Sequence, residues 1–374
     1  MIKIRSAGAI LSGVCATMTG VGLSRFAYAP LLPAIVQAGL LSGGEAGALG
    51  AINLGGYLFG AAVGPAIGRH LGVPWALRGA MLACAGCFLL CAVPGGGLLW
   101  LAPWRGGTGI AAGVLMVLAG PAVQAVVPAA IRGLAAGLVF AGVGSGIVAG
   151  ALLVPATLPF GLSAPWLALA ALASLLTAIS WRLWPKVAAP PKMRLPRLIG
   201  RAGWMVGSYA CSAVAQTVHM VWWPDFIARG LGRGPAAAAG FWVLYGLSAA
   251  TGPALYGRVA DRIGAGRALR LAMGVQVAAL GLPLVAQTTP ALVASAVLAG
   301  GTAIGSTALT LTRARDIGGA DAPGLWRAST ATFGLAQTLC GFFLAWLYAA
   351  TGGHAALFAA GFVAALLAFL SARS

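Results

Sequence analysis

A chain of 374 residues that is 60% apolar and 7% charged, with a mean hydropathy of +0.95, cannot clothe soluble cores of that size in polar side chains. Soluble domains carry about 25% charged residues, and disorder requires low hydrophobicity, so both classes are excluded. The formal charge of +18 would suggest nucleic acid in a soluble protein, but here the basic residues are scattered over many short connections.

A helix needs about 20 mostly apolar residues to cross the hydrocarbon core. Twelve such stretches follow one another, at 7–36, 46–67, 75–93, 98–126, 134–157, 165–184, 203–226, 236–256, 267–286, 291–312, 328–349 and 355–371. Lys3 and Arg5 precede the first run as in a signal peptide, but Val14 is too large to precede a lipid-modified Cys15, and the run continues past it. The first run is therefore predicted to be a span. The connections are short and rich in Gly and Pro, and none can hold a soluble domain. The longest, 185–202, separates an expected six-helix bundle at 1–184 from a second at 203–374. With a cytoplasmic N-terminus, 19 of the 23 basic residues fall in cytoplasmic segments and only Arg229 and Arg233 in outer loops. The positive-inside rule selects that orientation, with both termini cytoplasmic, in the inner membrane of a bacterium. The net charge is thus a topology signal, and no nucleic-acid partner is expected.

The two halves echo each other. Pro33 to Leu40 matches Pro224 to Leu231, Gly64-Pro65-Ala66-Ile67 matches Gly252-Pro253-Ala254-Leu255, and Gly106-Gly107-Thr108 matches Gly300-Gly301-Thr302, at offsets of 191, 188 and 194. Parallel six-helix repeats are a transporter arrangement with the substrate site between the halves. The whole chain resembles the major facilitator superfamily. The run Gly22-Leu23-Ser24-Arg25-Phe26-Ala27-Tyr28-Ala29-Pro30-Leu31-Leu32-Pro33 looks like the first span of its YbfB/YjiJ-type bacterial group. The most specific motif is Gly257-Arg258-Val259-Ala260-Asp261-Arg262-Ile263-Gly264-Ala265-Gly266-Arg267. The resemblance implies that Gly257, Asp261 and Arg262 belong to a gating loop, with Asp261 capping a neighbouring helix and pairing with Arg. The corresponding first-half loop, 64–72, has no Asp. Arg105-Gly106-Gly107-Thr108-Gly109 resembles the fourth-span motif of the same superfamily. The implied fold is all-α and integral to the membrane, twelve helices in two six-helix repeats.

Charge at the bilayer centre is costly, so each instance calls for a reason. Arg25 lies deep in the first span and Arg105 in the outer half of the fourth. Helical spacing puts Tyr28 on the Arg25 face at i+3, and the repeat sets Gln216 opposite Arg25 and His219 opposite Tyr28. None of the five acids, Glu45, Asp225, Asp261, Asp316 and Asp321, falls at a predicted midplane. A buried cation without a carboxylate takes either an anionic substrate or backbone carbonyls. Arg25 is read in the first sense, with Tyr28, Gln216 and His219 as hydrogen-bonding groups. Arg105 is read in the second, as a gating or packing residue. Asn53 and Tyr57, at i+4, are further cavity candidates. Trp222, Trp223, Phe241, Trp242 and Tyr245 form either an interfacial belt or, through Trp223, Trp242 and Tyr245, a cavity wall that stacks on an unsaturated substrate. His219 and Asp225 are the candidates for proton coupling. His70 and His354 are expected at span ends with no specific role. Cys84, Cys87 and Cys91 share one helical face and are read as packing residues, not a metal site.

The function expected is a secondary active transporter of a small solute, first of all a small organic anion. A low-specificity exporter of amphiphilic compounds is the alternative, and a transporter-like membrane sensor a third reading. No enzyme chemistry is expected, since no clustered His, acid or nucleophile suggests it. No cofactor and no metal are expected. The partners foreseen are the solute and the lipid bilayer, and the chain is expected to act as a monomer.

Overall fold

The computed structural model of the protein describes residues 2–93, 97–188 and 198–372. Helix α1 (Ile2–Thr17) runs into a π-helical segment (Met18–Phe26), then a turn and α2 (Leu31–Gln37), which together make the first span. The first half continues with α3 (Gly43–Leu71), α4 (Val73–Cys91), α5 (Gly97–Gln124), α6 (Arg132–Thr157) and α7 (Ser163–Ser180). The second half holds α8 (Arg201–Asp225), extended by a π-helical turn (Phe226–Gly230), then α9 (Gly234–Ile263), α10 (Ala265–Val285), α11 (Thr289–Gly318), α12 (Ala322–Thr351) and α13 (His354–Ser371). These are the twelve predicted spans. Ten are long and apolar enough to cross a membrane by length and composition alone. The two that fall short are α8, which carries Ser208, Ser212, Gln216, Thr217 and His219 turned inward, and α9. The expected boundary at 185–202 lies largely outside the described residues. With twelve crossings, the start of α1, the linker and the end of α13 lie on one side of the molecule, called here the linker side; the opposite is the far side.

The helix ends follow their sequences. Ser42 caps α3 on the far side: its hydroxyl accepts from the Glu45 amide at 3.3 Å, and the Glu45 carboxylate accepts from the Ser42 amide at 2.8 Å. This reciprocal capping box satisfies two orphan donors and accounts for Glu45. Between α9 and α10 the chain turns at Gly264, whose φ of 83° suits glycine. On the outside, Leu99, Phe160, Val285 and Trp346 are exposed as a lipid-facing surface must be.

Close helix packing depends on missing side chains, as expected where lipid removes the hydrophobic drive between helices. A β-carbon on Gly60 of α3 would sit 2.0 Å from the Ile110 carbonyl oxygen of α5, and one on Gly113 of α5 would sit 2.2 Å from the Tyr57 carbonyl. The second half repeats the device: Gly300 of α11 meets the Tyr245 carbonyl and Gly252 of α9 the Gly301 carbonyl. Cys84 and Cys87 belong to this packing. Cys84 lies 3.8 Å from the Thr108 carbonyl, and the Cys87 sulfur lies where a side chain on Gly107 would go.

The halves meet chiefly through α3 with α12 and α6 with α9. On the far side, Gly43 and Gly47 of α3 leave room for the rings of Tyr348 and Trp222, which stack on each other at 4.6 Å. Near the middle, Gly144 abuts Ala250. Helices α5 and α11 are not among the closely packed pairs. The far side is closed by the packing of Tyr348 and Trp222 against α3.

Candidate central cavity

The first span owes its shape to Pro30. Proline has no N–H to give the Phe26 carbonyl, and that oxygen accepts from the Ala29 amide at 3.3 Å and from Trp242 Nε1 of α9 at 3.2 Å. The Ser24 carbonyl, also displaced from regular helix pairing, accepts from Arg105 Nη1 at 2.7 Å. The π-helical segment ends beside these residues, and its wider turns break the 3.6-residue period. Arg25 and Tyr28 therefore do not share a face.

Arg25 reaches the space between the halves. It lines a cavity of about 80 Å³ together with Tyr57, Met116, Tyr209, Gln216, Tyr245, Thr307, Trp326, Thr330, Phe333 and Gln337, among others. Most of these lie toward the linker side. The Arg25 Nη2 donates to Gln337 Oε1 of α12, so the bond crosses from one half to the other. Its guanidinium carbon lies 5.1 Å from the Tyr57 ring centre and 5.9 Å from that of Phe26. Its Nε is buried and has no hydrogen-bond partner among the described residues. Arg25 is the one formally charged side chain among those described that line the cavity. Gln216 completes the polar lining, with its amide donating to Ser212 and Ser306 hydroxyls, each at 3.1 Å.

Several expected members lie elsewhere. Tyr28 turns into the first bundle, where its hydroxyl donates to the Ala46 carbonyl at 2.7 Å and its ring faces Trp166. His219, its repeat partner, turns in the same way into the second bundle. It lies 2.9 Å from the Ser295 hydroxyl and 5.5 Å from the Phe358 ring. Ser295 gives its one proton to the Ala279 carbonyl at 2.6 Å, so His219 Nε2 is the donor to Ser295. Asn53 points into α5, donating to the Arg105 carbonyl at 3.1 Å and the Thr108 hydroxyl at 3.0 Å. Tyr57, one turn closer to the linker side where α3 borders the opening, does line the cavity. Of the aromatic group, Tyr245 lines it and Trp242 stacks behind at 4.5 Å. Trp223 is buried among His219, Phe226 and Phe358, so it is neither belt nor wall. Arg105 sits over Tyr28 at 4.5 Å as a packing residue.

Sequence reasoning missed Gln337, Tyr209 and Thr307. Gln337 is the one amide side chain in α12, which was the available signal. Tyr209 donates to the Thr307 hydroxyl at 2.9 Å and stacks on Phe333 at 4.4 Å.

A second polar cluster lies on the far side. Buried Asp225 accepts from Arg229 through both oxygens, at 2.5 and 2.7 Å, and pairs with His354 Nε2 at 2.7 Å. Arg229 also donates to the Tyr348 hydroxyl at 3.1 Å. His354 thus has a definite partner, contrary to its reading as a bystander. In the gating motif, Asp261 is exposed at the end of α9 and makes no ion pair or hydrogen bond among the described residues. Helix α10 has no side-chain cap.

The fold is that of a solved transporter. The crystal structure of a D-xylose–proton symporter superposes with a TM-score of 0.70 over 98% of this chain and 97% of that one, at 18% identity. Among curated proteins none matches the sequence. Residues 17–373 match the family described as "Uncharacterised MFS-type transporter YbfB". The chain belongs to that family, and it is a multi-pass membrane protein of the transporter class.

Proposed function

We propose that this secondary transporter moves a small organic anion by alternating access, with Arg25 as the anion anchor. The carrying observation is the charge of Arg25 in a cavity whose described lining holds no acid, its only side-chain hydrogen bond going to the neutral Gln337. A desolvated cation of that kind favours an anionic partner. Tyr57 completes the reading as a substrate contact, with Tyr245 on the opposite wall, while Gln216 borders the cavity with both its N–H donors held by Ser212 and Ser306. The linker side is taken as cytoplasmic, because the basic connections lie there, which makes this state inward-facing. The two bundles, 1–184 and 203–374, rock about the sealed far side, and the monomer is the working unit. Neither coupling candidate lines this cavity: His219 serves the second bundle, and Asp225 the far-side cluster.

The cavity in this state is small for the exporter of amphiphiles, since pockets for drug-sized ligands run to roughly 300–1,000 Å³. Proteoliposomes loaded with a panel of organic acids, amines and neutral solutes test the proposal by counterflow. Anion uptake that falls at least a hundredfold in Arg25→Gln supports it. Equal uptake in both proteins overturns it, and ligand binding without any flux favours the sensor reading.

A further inference from the structure

We infer that the solute is a small aromatic monocarboxylate, an inference that rests on the reading of Arg25 as an anion anchor. The first argument is a charge count. Arg25 is the one cation in the described lining, with no Lys, His or second Arg beside it. It can neutralise one carboxylate. A second carboxylate on the same molecule would enter a low-dielectric space unpaired. An ammonium group would find only the like charge of Arg25, because no Asp or Glu lines the cavity. Dicarboxylates and amino acids are thereby disfavoured.

The second argument concerns the walls. The guanidinium is flanked by Tyr57 and Phe26 of the first half. Across the cavity, the second half presents Tyr245, backed by Trp242, and the stacked pair of Tyr209 and Phe333 at 4.4 Å. A carboxylate taken by the Arg25 guanidinium, which these rings flank, sends its body between them. Ring faces and edges reward a planar π system beyond simple burial. An aliphatic body of equal volume gains burial alone. Two such ring contacts amount to roughly a tenfold preference. The volume of about 80 Å³ favours a small solute.

The test uses the purified full-length protein and three probes by titration calorimetry, with counterflow of labelled benzoate in proteoliposomes. Benzoate carries one charge and one ring, cyclohexanecarboxylate the same charge without a π face, and phthalate the same ring with two charges. Benzoate is expected to bind about tenfold more tightly than either of the others. In Tyr57→Leu the ratio of benzoate to cyclohexanecarboxylate should fall below about threefold, and Tyr57→Phe should keep it. Arg25→Gln should abolish binding of all three. Equal affinity for benzoate and cyclohexanecarboxylate overturns the aromatic assignment, and phthalate binding as tight as benzoate overturns the single charge. In both cases an Arg25 dependence leaves the anion reading intact. If none of the three binds or is carried, the aromatic assignment is overturned; the anion reading falls as well only where the wider acid panel also shows no dependence on Arg25.

Discussion

Replacing Gly60 with alanine probes how the bundle that carries Arg25 and Tyr57 is held together. The added β-carbon would lie 2.0 Å from the Ile110 carbonyl oxygen, where real contacts do not fall below 3.0 Å, so α3 must withdraw from α5 by about 1 Å. The obstacle is backbone on a packed helix and cannot swing away. A gap of that size forfeits a quarter to a half of the dispersion well at each contact along the seam. The seam is the most extensive helix pair in the molecule. Overpacking of this kind costs roughly 1–3 kcal/mol, and the rigid obstacle places Gly60→Ala at the upper end, about 3 kcal/mol. At roughly 2–4 °C per kcal/mol, the apparent melting temperature in detergent should fall by about 6–12 °C. Gly79→Ala in α4, which meets no atom within 4 Å, is the matched control and should not fall. If both variants melt together with the parent, the packing argument for α3 and α5 is refuted.

Other substitutions separate site from scaffold. Gln216→Leu removes a group whose two N–H donors are held by Ser212 and Ser306, so, like His219→Gln, it should lower the melting temperature and leave anion affinity within about twofold; a loss of about tenfold in titrations would return either residue to the site. Asp225→Asn leaves Arg229 and His354 facing a neutral amide, and breaking a buried charged pair costs roughly 3–5 kcal/mol, with Arg229 still 20% exposed to soften the loss. It should therefore speed maleimide labelling of a cysteine at Val221, which packs against Gly50 in the far-side seal; unchanged labelling would separate the cluster from that seal. Pro30→Ala supplies an N–H for the Phe26 carbonyl and should lower anion affinity about tenfold without lowering the melting temperature, as calorimetry alongside melting would show.

The spans were legible in the sequence because apolar length is a one-dimensional property, and each helix satisfies its own backbone in lipid. The repeat was legible for a related reason. Gly60 with Gly252, and Gly109 with Gly300, each press against a carbonyl of the neighbouring helix, so the same close approach is built twice, one turn away from the Gly64 and Gly106 matches read in the sequence. Which face of a helix meets the cavity was less legible. The i+3 argument joined Tyr28 to Arg25, but it assumed a continuous α-helix across a segment that is π-helical up to Phe26 and then turns. Pro30 and Pro33 announced a distortion without giving its phase. Asn53 failed for another reason: its helix face was well placed, but the α5 backbone lies closer to it than the cavity does. The cluster of Asp225, Arg229 and His354 joins α8, its π-helical extension and α13 across 129 positions of sequence, so no local pattern could announce it.

Arg25 and Arg105 show how one distortion divides two buried cations between structure and function. A regular helix through residues 24–30 would keep the Ser24 carbonyl in its own ladder and, with an N–H in place of Pro30, the Phe26 carbonyl as well. Arg105 would then lose its acceptor, and Trp242 would lose the bond by which α9 holds the first span. With the ladder broken, Arg105 stays inside its own bundle, donating Nη1 to the Ser24 carbonyl and lying over the Tyr28 ring, while its Nε, like that of Arg25, is buried without a hydrogen-bond partner among the described residues. The same break directs Arg25 the other way, toward Gln337 of the opposite half. Arg105 has little reason to bind solute, because its charge is already held by groups that move with it. Arg25 is held by a neutral amide on the other half, a partner that shifts whenever the halves rock. A charge whose partner changes with the conformational state is one through which a bound anion can bias that state, since a ligand shifts an equilibrium only by its differential affinity for the two forms.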